Sequence, residues 1–222
     1  MKTFVPAAVS VALLMAGCSS AASTPTFAVP TTPVSPLACS YPASGQASRP
    51  VQPPSTTDVL TKGTATFTLT LPDGPVTITA DRSRAACTVH SFESLVSQGY
   101  YNDTSCHRLA DQGLFMLQCG DPTGTGRGGP GYAFADELAG TTSYPAGTVA
   151  MANTGAPTSN GSQFFIVYRD SPLPPKYTVW GSLDAASLKV VEAIAAEGHD
   201  ASLPDGTGKP KGDARIISVT AG

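Results

Sequence analysis

The chain has 222 residues and a net charge of −3, with 13 lysines and arginines against 16 aspartates and glutamates. It contains no run of basic residues, so nucleic acid is not an expected partner. Once an N-terminal leader and linker are set aside, about 165 residues remain, which is the size of a single domain.

The N-terminus carries a short apolar segment. Residues 4–17 form an uncharged run of the length that is typical of a signal peptide, and this run is too short to span a bilayer. It ends in Leu-Met-Ala-Gly-Cys, which resembles a bacterial lipobox although Met15 stands where leucine is preferred. The sequence therefore predicts a signal peptide over residues 1–17, a lipid on Cys18, and an extracytoplasmic protein anchored to the bacterial cell membrane. The alternative is an ordinary secreted protein.

The next segment consists largely of small residues and proline and carries almost no charge. Residues 18–57 are rich in Ser, Thr, Ala and Pro, and Arg49 is their single charged residue. Such a composition cannot bury a core, so it predicts an extended, flexible tether. The folded domain is then expected to span residues 58–222.

Four cysteines follow Cys18, and an even number in an exported chain predicts disulfides. Three pairings are possible, and the sequence does not choose between them. Cys106 and Cys119 flank a predicted hairpin and could face each other. A bridge from Cys39, which lies in the tether, would clamp the end of the tether to the domain. The chain has no C-x-x-C motif and its three histidines are scattered, so no metal or cofactor is expected. The cysteines are Cys39, Cys87, Cys106 and Cys119.

The body of the chain combines short strand patterns with two helical ones. Polar and apolar residues alternate on either side of a Pro-Asp-Gly-Pro turn, which predicts a hairpin. Apolar residues at helical spacing predict helices over Ala85–Gln98 and after Asp184, which can cap the second helix. This order alone predicts a β-rich α+β fold. The predicted strands are Thr64–Leu71, Val76–Ala80, Cys106–Leu109, Leu114–Gln118, Val149–Ala152, Gln163–Val167, Thr178–Gly181 and Arg215–Thr220.

Three segments carry the functional signal: Cys106–Leu109, Leu114–Asp121 and Met151–Ile166. In this order and spacing they resemble three active-site segments of the cyclophilin-type peptidyl-prolyl isomerases, and the resemblance extends from residue 64 to residue 220. It implies a mainly β (α+β) fold, namely a closed, eight-stranded antiparallel barrel flanked by two helices. It also implies an isomerase that acts on X-Pro bonds.

Isomerisation of an X-Pro bond needs no covalent chemistry. Its barrier is about 18–20 kcal/mol, because the C–N bond has partial double-bond character. A hydrogen-bond donor aimed at the prolyl nitrogen stabilises the twisted state more than the planar one. The resemblance assigns this role to Arg108 and implies that Gln118 holds the arginine and touches the substrate backbone. The alternative is an arginine that pairs with an acid on the rim of the barrel.

The resemblance also implies how the rest of the site is built. It predicts an apolar slot for the proline ring, polar contacts at Gln163, and main-chain pairing of Ala152 and Asn153 with the residues before the proline. Alternation along the strand places Phe115 on the face opposite to Met116 and Gln118. The residues implied for the slot are Phe115, Met116, Phe165, Leu173 and Tyr177.

The sequence is thus interpreted as that of an exported, lipid-anchored isomerase that assists the folding of exported proteins. The expected partners are proline-containing segments of such proteins and the membrane, and the chain is expected to be monomeric. The alternative is a binding module with this fold that grips proline segments or unfolded chains with little turnover.

Overall fold

The computed structural model describes residues 1–4 and 37–222. The predicted lipidation residue Cys18 and the first part of the predicted tether therefore lie outside the described residues. Residues 37–222 belong to one compact unit. Over the described ranges, no helix has the length and apolar character needed to cross a membrane.

The described residues form ten strands and two helices, in an order close to the predicted one. The strands are β1 (Thr64–Leu71), β2 (Gly74–Asp81), β3 (Thr104–Ser105), β4 (Arg108–Gln112), β5 (Leu114–Cys119), β6 (Thr148–Met151), β7 (Phe164–Val167), β8 (Val179–Leu183), β9 (Arg215–Ile216) and β10 (Ser218–Ala221). The helices are α1 (Ala86–Ser97), between β2 and β3, and α2 (Ala185–Ala196), between β8 and β9.

Eight of the strands form one curled antiparallel sheet in the order β10-β1-β2-β8-β6-β7-β5-β4. Within the described residues its edge strands β10 and β4 do not pair, so the expected closure is not made by hydrogen bonds. The predicted last strand is instead split at Ile217: β9 pairs with β3 in a small separate sheet, and β10 pairs with β1. The β4 edge is covered by a loop, where Leu109 forms a bridge with Gly208.

The main core lies between one face of this sheet and the two helices. The predicted apolar face of α1 is buried, with Val89 and Leu95 fully enclosed. The fully buried Trp180 lies within ring contact of Phe67, Phe92 and Phe164. The carboxylate of Asp184 accepts a hydrogen bond from the Ser187 amide and caps α2, as predicted.

The four cysteines form two disulfides. Cys106 is bonded to Cys119, on either side of the β4–β5 hairpin, and Cys39 is bonded to Cys87 at the start of α1. The structure thereby selects one of the three pairings that the sequence left open.

Residues 39–54 lie against the folded domain, and we call this segment the strap. The sequence predicts it to be part of a flexible tether, because the segment is rich in Ser, Ala and Pro. Two features outweigh that composition: the disulfide of Cys39, and Tyr41, which is 7% exposed and packs edge-on against Tyr132 and Phe134. This part of the predicted tether is therefore part of the domain.

Candidate active site

A pocket of about 130 Å³ opens beside Arg108, on the side of the sheet away from the main core. It arises from strand alternation. In β5, β6 and β7, every second side chain enters the main core, and those between them form a second apolar cluster beneath the pocket. The pocket is lined by Arg108, Leu114, Met116, Gln118, Ala152, Asn153, Phe165, Leu173 and Tyr177.

The floor of the pocket is apolar. Met116 and Phe165 are 3% and 4% exposed, and Leu173 and Tyr177 pack against the same cluster from a loop. The rings of Phe165 and Tyr177 meet edge-on, with centroids 5.4 Å apart. The pocket therefore offers a slot of ring size with an apolar floor, and the polar residues Arg108, Gln118 and Asn153 complete its lining.

Phe115, which the resemblance places in the slot, does not line the pocket. It lies on the other face of β5, where its ring packs edge-on against Tyr168 and the guanidinium of Arg169 lies 4.6 Å from its centre. Leu114 lines the pocket where Phe115 was expected. Side chains one residue apart on a strand point to opposite faces, so only one of the two can enter the pocket.

Arg108 begins β4 at the rim of the pocket, directly opposite Gln118 on β5. Its guanidinium makes three hydrogen bonds: from Nη1 to Gln118 Oε1 (3.1 Å), from Nε to Thr207 Oγ1 (2.9 Å) and from Nη2 to Asp205 Oδ2 (2.8 Å). The sequence offered two interpretations of this arginine, a donor to the substrate and a partner of an acid on the rim. They are compatible, because Arg108 is paired with Asp205 and also lines the pocket. The sequence carried no signal for Asp205 or Thr207, which lie about a hundred residues further along the chain.

Asp205 and Thr207 belong to a loop that is anchored next to the arginine. The Leu109 amide donates to the Gly208 carbonyl (2.7 Å), and the Gly208 amide donates back to the Leu109 carbonyl (3.2 Å). The hydroxyl and amide of Thr207 donate to Asp205, and these bonds, followed by the effect of Arg108, lower the pKa of the Asp205 carboxyl. Asp205 is therefore ionised at neutral pH and holds the guanidinium in one orientation.

A chain of side-chain amides continues from the arginine. Gln118 Nε2 donates to Gln163 Oε1 (2.9 Å), and Gln163 Nε2 donates to the carbonyls of Gly126 and Gly128 (3.0 and 2.9 Å). Gln163 lies outside the pocket itself and lines the groove beside it. Its role in this geometry is to fix Gln118, which in turn fixes Arg108.

The glycine-rich loop at residues 124–131 is held from below by a buried carboxylate. Asp121 is fully buried and accepts hydrogen bonds from the amides of Thr123, Thr125 and Gly126. Burial alone would raise the pKa of Asp121, but hydrogen bonds from the Thr123 hydroxyl and from the amides of Thr123, Gly128 and Gly126 outweigh burial and lower it. A side chain at Gly128 would overlap this carboxylate, so the close approach of the loop requires glycine there.

His107, next to the arginine, is 6% exposed, and its ring nitrogens have no hydrogen-bond partner within the described residues. Burial lowers the pKa of His107, so its ring is neutral at pH 7. Over the described ranges, His, Cys, Asp and Glu side chains nowhere gather in a group of three that could hold a metal ion. The arrangement is that of a peptide-binding slot with one fixed cationic donor at its rim.

Comparisons with known proteins agree with this geometry. Residues 66–221 match the family model described as cyclophilin type peptidyl-prolyl cis-trans isomerase/CLD. The chain is 43% identical over 183 residues to a "Probable peptidyl-prolyl cis-trans isomerase B" of Mycobacterium leprae, a match that covers 76% of this chain and 62% of that protein. It is 39% identical over 175 residues to "Peptidyl-prolyl cis-trans isomerase A" of Mycobacterium tuberculosis, covering 71% of this chain and 92% of the relative.

A solved structure shows the same fold. The crystal structure of a cyclophilin type peptidyl-prolyl cis-trans isomerase from Cryptosporidium parvum superposes with a TM-score of 0.62 at 29% identity, covering 72% of this chain and 98% of that one. A second structure of that protein, in the presence of the dipeptide Ala-Pro, gives a TM-score of 0.59. The chain belongs to the cyclophilin-type peptidyl-prolyl cis-trans isomerase family. It spans less than two thirds of the length of the isomerase B relatives that it matches.

Proposed function

We propose that the protein catalyses cis–trans isomerisation of X-Pro peptide bonds. The observation that carries this proposal is the fixed guanidinium of Arg108 at the rim of an apolar slot. An arginine has five N–H donors, and three are bonded within the protein, which leaves two for a substrate. The proline ring enters the slot formed by Met116, Phe165 and Leu173, and Arg108 faces its nitrogen.

The mechanism is differential binding. As the bond twists, the prolyl nitrogen becomes pyramidal and gains a lone pair that can accept a hydrogen bond, whereas the planar amide nitrogen cannot. Arg108 therefore stabilises the twisted state more than either planar isomer. Gln118, Asp205 and Thr207 hold the guanidinium in advance, so little reorganisation is needed at the moment of reaction.

A protease-coupled assay on an uncharged X-Pro peptide tests this function. We expect turnover well above the uncatalysed rate, and nearly constant kcat/KM between about pH 6 and 8, because no general acid or base takes part. The pKa of Asp205 is lowered, so its carboxylate stays ionised across this range, and burial lowers the pKa of His107 and so disfavours its charged form. A bell-shaped profile centred near neutrality would contradict the mechanism and point to His107.

The rival is a module of the same fold that binds proline segments without turning them over. The clamp on Arg108 favours the enzyme, because binding an apolar ring does not require a donor held at the ring nitrogen. Tight peptide binding with no turnover in the same assay would favour the module.

We further propose that the protein works outside the cytoplasm as a lipid-anchored monomer and assists the folding of exported proteins. The apolar run before Cys18 and the presence of two disulfides support this location, since disulfides persist in oxidising compartments. Mass spectrometry of the membrane fraction is expected to find a mature chain that begins at Cys18 and carries a diacylglyceryl group. A mature chain recovered only from the medium, with a different first residue, would contradict the anchor.

A further inference from the structure

The strap forms one wall of a second groove. This outer groove has a volume of about 760 Å³ and is continuous with the proline slot, because Gln118, Ala152 and Asn153 line both. Its other walls are the glycine-rich loop and the loop at residues 154–159, and residues 44–46 of the strap close its far side. A segment that the composition predicts to be a free tether thus lines the extension of the site.

The strap is held in this place by many contacts. Along the glycine-rich loop, the amide of Ser44 donates to the Gly131 carbonyl and the amide of Ser48 donates to the Gly129 carbonyl, each at 2.9 Å. The guanidinium of Arg49 donates to three carbonyls in the segment that follows α1, those of Tyr100, Asn102 and Asp103. The disulfide at Cys39 fixes the start of the strap covalently. The wall is therefore part of the folded site rather than a loose neighbour.

The outer groove is lined by several residues with amide or hydroxyl side chains. Its lining includes the side chains of Gln46, Gln163, Thr158 and Ser159, and of its lining residues, all within the described part of the chain, only Arg127 is charged. Amides, hydroxyls and one cation fit a polar or acidic side chain better than an apolar or basic one. No lining residue is an acid that would attract lysine or arginine.

We propose that the strap is a specificity element of the isomerase. Residues 44–46 and Arg127 bind the stretch of substrate two to three residues before the proline and favour a polar or acidic side chain there. This inference rests on the isomerase function proposed above. The direction rests on the predicted main-chain pairing of Ala152 and Asn153 with the residues before the proline, since the outer groove continues from these two residues.

The test compares substrates of different length and charge. One peptide carries a single blocked residue before the proline and the others carry four, with Glu, Gln or Lys at the third position before it. For the wild type, we expect kcat/KM for the Glu peptide to exceed that for the Lys peptide, and the difference to shrink in high salt, because exposed charges are screened. Equal values for the Glu and Lys peptides would overturn the proposed preference.

Charge changes on the strap test the wall itself. Gln46→Lys is expected to raise the Glu-to-Lys ratio of kcat/KM by about two- to fivefold, the size of an exposed ion pair, and Gln46→Glu to lower it by a similar factor. Gln52→Lys and Gln52→Glu are the matched controls, because Gln52 is an exposed glutamine of the same strap that does not line the groove. The short peptide should show the same kcat/KM in all of these variants.

The outcomes separate the two proposals. Turnover of the short peptide by the wild type tests the isomerase function alone. If that turnover is absent, the same peptides can be titrated by calorimetry, and the Gln46 variants should still change the ratio of their affinities. If the Gln46 and Gln52 variants behave alike, or if the short peptide responds as the long ones do, the strap is not a wall of the substrate site and the inference is wrong.

Discussion

Arg108→Ala is expected to lower kcat/KM for X-Pro peptides by about 10²–10³, the usual cost of removing one preorganised donor. Peptide affinity should fall much less, because Met116, Phe165 and Leu173 still form the apolar slot. The measurement is the protease-coupled assay together with calorimetric titration of a peptide, and circular dichroism serves as the folding control. A folded variant with wild-type turnover would move the donor elsewhere and favour the binding module.

Two milder variants ask whether the orientation of the guanidinium matters as well as its charge. Arg108→Lys keeps the charge but cannot reproduce a planar fork that donates to Gln118, Thr207 and Asp205 together, so it should also be badly impaired. Asp205→Asn removes the ion pair but retains an oxygen acceptor, and we expect a smaller loss, in kcat more than in KM. An Asp205→Asn enzyme with unchanged kcat would show that Gln118 and Thr207 suffice to hold the arginine.

Removing the disulfide between Cys39 and Cys87 is expected to have the largest effect on stability. The two cysteines are 48 residues apart, and the double serine variant should lose about 4 kcal/mol in free energy of unfolding through the greater chain entropy of the unfolded state. For a domain of this size, that loss corresponds to a fall in Tm of about 8–16 °C. Neither cysteine lines the proline slot, so kcat/KM for the short peptide should remain close to that of the wild type.

The other disulfide is the matched control, because its removal should cost less stability but more activity. Cys106 and Cys119 are 13 residues apart, so their double serine variant should lose about 3 kcal/mol. That bridge ties the hairpin on which Arg108 and Gln118 stand, and its loss should lower kcat for the short peptide. Equal activity in the two double variants would show that the hairpin is rigid without its disulfide.

Local patterns predicted much of the fold. Alternation in β1 and β2 and the apolar face of α1 appear where expected, because each depends on neighbours along the chain. The closing strand did not appear as one piece, since whether Arg215–Thr220 pairs with β1 or with β3 depends on contacts far away in sequence. The strap was predicted to be flexible because its one large apolar anchor, Tyr41, is outnumbered by small polar residues and prolines. The contacts that hold Tyr41, to Tyr132 and Phe134, are also far away in sequence.

Some residues of the candidate site could be predicted from local sequence and others could not. Arg108, Gln118, Met116 and Phe165 were predicted because they stand in recognisable segments, and the structure brings them together. The two loop residues that grip the arginine, Asp205 and Thr207, lie in a Gly- and Pro-rich stretch that has no such pattern. Their contribution follows only from the three-dimensional path of that loop over the edge of β4.

The Cys39–Cys87 bridge also determines how the domain would respond to mechanical load. A pull on the chain ahead of Cys39 reaches the covalent crosslink before it reaches the rest of the strap. The force is then carried into α1, which packs on the sheet opposite the proline slot. The groove wall at Ser44–Gln46 lies behind this junction, so tension on the N-terminal side would bypass it and leave its shape unchanged.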